Sequence, residues 1–300
     1  MSRIFLFLLS VPLLAQTPSP VQAIRSKLSA GDLLSAESLL EVYRKEKGDD
    51  ANSLEGLSWL ARGAALMGDW PKASRYASET RAQCDAIIAK GTRLESDRVL
   101  LAALGASIEV QAEAAQRTRN AKEAVRFLDE QLARFKEPVA LRSRIYKRRN
   151  MIALTGQSAP ELQFSEHIGA PPMPLASLKG KPVVLFLWAS WCGDCKAQAA
   201  AISAAKKKYA GTDLAWIAPT RFYESDTKKE KSDMEKVWRE SYADLTSIPA
   251  PISTETMERY GVSSTPTFVF IDRSGKVRRY TPTRLTEAEL SQGIDLILRK

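Results

Sequence analysis

The stretch Val183-Val184-Leu185-Phe186-Leu187-Trp188-Ala189-Ser190-Trp191-Cys192-Gly193-Asp194-Cys195-Lys196 decides how the second half of the chain folds. Its first six residues are an unbroken apolar run, the pattern of a strand buried on both faces. Two cysteines three apart follow directly, and a helical pattern continues from Ala197 to about Tyr209. A strand entering a helix through such a pair sets Cys192 at the helix N-terminus. There the unpaired N–H groups and the positive end of the dipole stabilise a thiolate, the form that attacks a disulfide. Cys195 comes one turn later on the same face, within reach of a mixed disulfide on Cys192.

Working outward, Leu214 to Ile217 is a second apolar strand. Ser264-Thr265-Pro266-Thr267-Phe268-Val269-Phe270-Ile271-Asp272 and Gly275-Lys276-Val277 predict a strand pair joined by a turn, followed by a last helix from about Glu287 to Leu298. Upstream, Gly156-Gln157-Ser158-Ala159-Pro160 marks a boundary, and Leu178-Lys179-Gly180-Lys181 leads into the first apolar strand.

This order, with the Ala159-Pro160 lead-in, Trp188-Ala189-Ser190-Trp191-Cys192 and the later Thr265-Pro266, resembles the TlpA/ResA-like thiol–disulfide oxidoreductases of the thioredoxin fold. The resemblance covers residues 156–300. It implies an α/β thioredoxin-like domain in which Cys192 attacks and Cys195 resolves. It also implies that Pro266 is a cis-proline facing the dithiol, that the Thr265 backbone pairs with an incoming peptide, and that Trp191 shields the site. The implied partners are protein thiols or disulfides and an upstream redox protein, with the Cys192–Cys195 disulfide itself in place of a cofactor. The residues alone leave other readings open: a structural disulfide, and a non-catalytic interaction module controlled by the redox state of the pair. A peroxidase of the peroxiredoxin type would carry Thr or Ser where Ala189 stands.

Four positions depart from the family pattern. Phe186 replaces the buried Asp of thioredoxins, Gln198 replaces a frequent Glu, and Ala200 replaces a helix-kinking Pro. The usual proton acceptors for the resolving thiol are therefore missing, leaving water or Asp194 as substitutes. Asp194 itself stands where Pro is common. Its carboxylate opposes the Cys192 thiolate and so raises that thiol's pKa, with Lys196 in partial compensation. The Gly193-Asp194 spacer thus predicts a reducing couple whose potential rises in Asp194→Pro.

Residues 24–155 are rich in Ala, Leu, Glu, Arg and Lys at helical spacing, with Leu33, Leu34, Ala36, Leu39, Leu40 and Tyr43 as one example. Gly31-Asp32 followed by Ala36 and Leu40 is echoed by Gly68-Asp69 followed by Ala73 and Ala77, and more faintly by Ala124 and Leu128. The echo resembles tetratricopeptide repeats, although the Gly31 to Gly68 spacing exceeds their roughly 34-residue period. The expectation is two or three helical hairpins plus a closing helix from about Val139 to Leu154, serving as a protein-binding face or a spacer. The predicted architecture is thus α plus α/β: TPR-like helical hairpins followed by a thioredoxin-fold domain. Cys84, alone in its helix, is expected as a small buried apolar group, with a partner thiol as the alternative.

Arg3 precedes the apolar run Ile4 to Leu14, which is too short for a ~20-residue membrane span and matches the core of a secretory signal. Residues 1–15 are read as that signal, with cleavage as late as Ala23. The expected location is periplasmic or otherwise extracytoplasmic, without a stable membrane anchor after cleavage. In the whole chain, 44 basic residues outnumber 35 acidic ones for a formal charge of +9, beside three cysteines and one histidine. That inventory excludes a disulfide scaffold, a zinc ribbon and multi-histidine centres. With Cys84 and His167 as the remaining soft ligands, no metal is expected, and His167 is read as surface loop. The basic clusters Arg142 to Arg149, Lys206 to Lys208 and Lys228 to Lys231 lack interleaved aromatics, so they are expected to be solvated helical faces and not a nucleic-acid surface.

Overall fold

The computed structural model describes residues 19–299, so the signal read in residues 1–15 lies outside the described residues. Seven helices come first: α1 (Pro20–Ser29), α2 (Leu33–Lys47), α3 (Ala51–Leu66), α4 (Trp70–Ala89), α5 (Arg98–Thr118), α6 (Ala121–Arg134) and α7 (Val139–Ala153). A mixed α/β region follows, with β1 (Glu166–Gly169), β2 (Val183–Leu187), α8 (Gly193–Lys208), β3 (Ala215–Ile217), α9 (Thr227–Ser241), β4 (Pro249–Ile252), α10 (Thr254–Arg259), β5 (Thr267–Ile271), β6 (Val277–Thr281) and α11 (Glu287–Leu298). Cleavage after Ala23 would remove the first turn of α1 and its buried Val21.

The Gly-Asp pairs have a local cause. Gly31 and Gly68 take left-handed φ values of +76° and +78°, ending one helix. Asp32 and Asp69 then cap the next helix, each accepting a backbone N–H, from Ser35 and Lys72, at 3.0 Å. Asn120 caps α6 in the same way, accepting the Glu123 N–H at 2.9 Å. Ala36, Ala73 and Ala124 follow these caps at equal spacing and are fully buried, as are Leu40, Ala77 and Leu128 one turn on. Small side chains there let α1 pack on α2 and α3, α3 on α4 and α5, and α5 on α6 and α7. Leu34, counted with the apolar stripe from sequence, is exposed.

Cys84 lies in the core between α4 and α5, beside Leu54, Leu100 and Leu104, and is fully buried and free. Burial pushes its thiol up to about 12. In the unfolded chain a cysteine titrates near about 8.5, so this stabilising contribution is complete below that pH. It is lost as pH rises through the folded value of about 12. Between about pH 8 and about pH 10, urea melts of the native chain should therefore lose more stability than those of Cys84→Ala. Equal losses would show that this thiol contributes nothing to the alkaline limit.

The basic run in α7 is not the solvated face expected from sequence. Arg142 pairs with Glu258 of α10 at 2.8 Å, with only 15% and 16% of the two side chains exposed. Its guanidinium also donates to the carbonyls of Leu132 and Phe135. Arg144 pairs with Glu109, Arg148 with Glu113 and Arg149 with Asp129. Asn150 Nδ2 donates to the Arg259 carbonyl at 2.9 Å. Pairing desolvated charges in this way fixes α7 against α5, α6 and α10, and removing one partner would strand the other. The helical region is thereby attached to the α/β region through α10.

The central sheet has the order β3-β2-β5-β6, with β2 parallel to β3 and antiparallel to β5, and β5 antiparallel to β6. Every residue of β2 and β5 is buried, as the continuous apolar runs require. Alternation splits them between two cores. Val184, Phe186, Phe268 and Phe270 face Ile202 of α8, Trp238 of α9 and Ile294 of α11. Leu185, Leu187, Val269 and Ile271 pack with Leu162 and with Met257 and Tyr260 near α10. β1 pairs antiparallel with β4. His167, expected in a loop, is an exposed residue of β1, because backbone pairing with Pro251 places it in a strand.

Candidate active site

β2 ends at Leu187, opposite Thr267 at the start of β5, so the segment leaving β2 and the segment entering β5 meet at one edge of the sheet. Cys192 sits there as the N-cap of α8, its Sγ accepting the Cys195 backbone N–H at 3.0 Å. The two cysteines are joined as a disulfide with Cα atoms 5.2 Å apart. Cys192 is 5% exposed and Cys195 is 0% exposed, so of the pair only the first cysteine reaches the surface. The Thr265 carbonyl oxygen lies 3.5 Å from Cys192 Sγ, and the Thr265–Pro266 peptide bond is cis. The geometry therefore unites Cys192, Cys195, Thr265 and Pro266, which sequence reading had placed together.

Trp191 is 63% exposed beside the dithiol, so it forms a projecting wall more than a shield. Its ring meets that of Tyr223 edge-on at 5.4 Å, and the Arg221 guanidinium covers Tyr223 at 4.6 Å. Gly193, Asp194 and Lys196 are all exposed on the first turn of α8. The cation that meets Asp194 is Arg284, at 3.3 Å; no ion pair joins Lys196 to Asp194 among the described residues. Gln198 is buried, with its Nε2 donating to the Leu285 carbonyl and its Oε1 accepting the Leu285 N–H, both at 2.9 Å. Both ends of that amide are committed to the segment before α11, and a neutral amide is no base for the Cys195 proton. Phe186 packs on Phe268 and Tyr242, with ring centroids at 5.3 and 6.2 Å, so an aromatic floor occupies the place where thioredoxins carry their carboxylate.

Residues 173–296 match the family model of a thioredoxin-like domain. The C-terminal half thus carries a thioredoxin-like domain and is similar to the TlpA/ResA-like thiol–disulfide oxidoreductases. It is 29% identical to the thioredoxin-like protein YneN of Bacillus subtilis (strain 168) over 153 residues, which are 50% of this chain and 85% of that protein. Thiol-disulfide oxidoreductase ResA of Oceanobacillus iheyensis is 28% identical over 141 residues, 46% of this chain and 69% of its own. Among solved structures, the exposed lipoprotein thioredoxin of Streptococcus pneumoniae strain TIGR4 matches with 25% identity and a TM-score of 0.38, covering 45% of this chain and 98% of that one. These relatives correspond to about half of the chain, and the helical region adds a second body to the oxidoreductase domain.

Arg221, Tyr223, Gln198 and Arg284 escaped the sequence reading as parts of the site. Gln198 stood at a family position but was read as a missing proton acceptor. Arg284 is ninety positions from Asp194, and no local pattern announces the meeting.

Proposed function

We propose that the chain is an exported oxidoreductase that reduces disulfides in protein substrates, with Cys192 attacking and Cys195 resolving. The observation that carries this reading is the cap: Cys192 Sγ receives the Cys195 N–H at the positive end of α8, where a thiolate is stabilised. In the reduced protein the Cys192 thiolate attacks one sulfur of the substrate disulfide. The substrate S–S bond breaks, and the leaving sulfur departs as a thiolate and takes a proton from solvent. Cys195 then loses its proton and attacks Cys192 Sγ, releasing the second substrate sulfur as a thiol. Two electrons have passed to the substrate and the Cys192–Cys195 disulfide remains, to be reduced by an upstream dithiol protein. Thr265 presents its backbone and Trp191 its exposed ring to the substrate chain, and Pro266 shapes the turn beneath them.

Export rests on the apolar run Ile4 to Leu14, and among the described residues no helix is long and apolar enough to cross a membrane. The helical hairpins serve as a tetratricopeptide-like platform for a protein partner. The reducing direction rests on Asp194 inside the dithiol spacer. Equilibration of the purified protein with glutathione redox buffers should give a potential closer to the about −270 mV of a reductant than to the about −120 mV of a dedicated oxidant. A value at the oxidising end would overturn the direction.

A further inference from the structure

Asp194 and Arg284 are both exposed, yet the arginine does not reach the carboxylate by chance of a mobile loop. The segment between β6 and α11 is tied down on each side. Ser264 Oγ, next to Thr265, donates to the Pro282 carbonyl at 3.1 Å. Leu285, adjacent to Arg284, is buried and is held to α8 by the paired 2.9 Å hydrogen bonds of Gln198, one turn beyond Cys195. Thr286 and Glu289 close a capping box at the start of α11. The backbone carrying Arg284 is therefore fixed between the dithiol helix and the Thr265 segment, and its guanidinium lies 3.3 Å from Asp194 Oδ1.

An unopposed carboxylate two residues from Cys192 would raise that thiol's pKa, and a cation held on the carboxylate opposes the rise. We propose that Arg284 is a positioning residue of the dithiol, which holds Asp194 and offsets part of its charge, so that the carboxylate raises the Cys192 pKa less than it would alone. The proposal rests on the reading of Cys192 as the attacking thiol. It moderates the influence that sequence alone assigned to Asp194, and it gives the segment before α11 a part in the site.

The test is the pH dependence of Cys192 alkylation by iodoacetamide in the full chain carrying Cys195→Ser, checked by thiolate absorbance. Both groups are solvated, so the effect is modest. Arg284→Ala should raise the Cys192 pKa by about half a unit, roughly a threefold loss of thiolate below it. Asp194→Asn should lower it by a similar amount. The double variant should return close to the parent value, and Arg284→Lys should stay there. Added salt should shrink each single shift. An unmoved pKa in Arg284→Ala, a double variant that keeps the Arg284→Ala shift, or single shifts of the same sign would overturn the proposal. Because the readout is ionisation and not turnover, a protein that shows these shifts but reduces no disulfide would refute the exchange reading and leave the role of Arg284 standing.

Discussion

Cys192→Ser is expected to lower the turnover of insulin reduction by at least about a thousandfold. The hydroxyl of serine does not ionise in the working pH range, so the cap interaction that stabilises a thiolate finds no anion to stabilise. The loss should not come from unfolding. Serine is a favoured N-cap residue and can accept the Cys195 N–H that Cys192 Sγ accepts at 3.0 Å, so the melting temperature should stay near that of the reduced native chain. Cys195→Ser behaves differently. The first attack remains available, but the buried resolving sulfur is gone, so the reaction should stop at one covalent adduct per chain and multiple turnover should disappear. Retained multiple turnover in Cys192→Ser would mean that another group performs the attack.

Gly261→Ala should destabilise the chain by about 3 kcal/mol in urea unfolding, the largest effect expected of a single added methyl group. Gly261 has φ +68°, and a Cβ there would fall against the backbone N and Cα of Lys147, with the Tyr146 carbonyl carbon at 2.7 Å. The obstacle is backbone of α7, already held by the Arg142–Glu258 and Asn150–Arg259 contacts, and it has no side-chain freedom with which to yield. Gly68→Ala supplies the control, since Gly68 has φ +78° and nothing within 4 Å of the added carbon. That substitution should cost only about 1 kcal/mol, the conformational part alone. Equal costs would mean that α7 does not approach Gly261 as closely as described.

The parts of the fold that could be read from residues are those whose signal is local. Val183 to Leu187 had to be buried on both faces, the dithiol had to begin a helix, and Thr267 to Ile271 had to be a strand. The Gly-Asp punctuation marked helix boundaries because it satisfies backbone groups within four residues. β1 and β4 were not read, because each is four residues long and holds its place through the other. The basic run of α7 misled for a related reason. A helix of arginines looks solvated until its acidic partners are known, and Glu258 is 116 positions from Arg142. In the site, Cys192 and Cys195 announce themselves by spacing. Arg284, Tyr223 and the clamp of Gln198 on Leu285 depend on chain segments that meet only in the folded molecule.

Trapping the exchange intermediate tests the central claim most directly. Reduced Cys195→Ser is mixed with oxidised insulin, quenched with acid and mapped by mass spectrometry. The expected result is a mixed disulfide on Cys192, released by dithiothreitol and absent from the Cys192→Ser, Cys195→Ser double variant. An adduct on Cys84 instead, or no adduct on Cys192 while the protein remains folded, would contradict the assignment of Cys192 as the attacking sulfur.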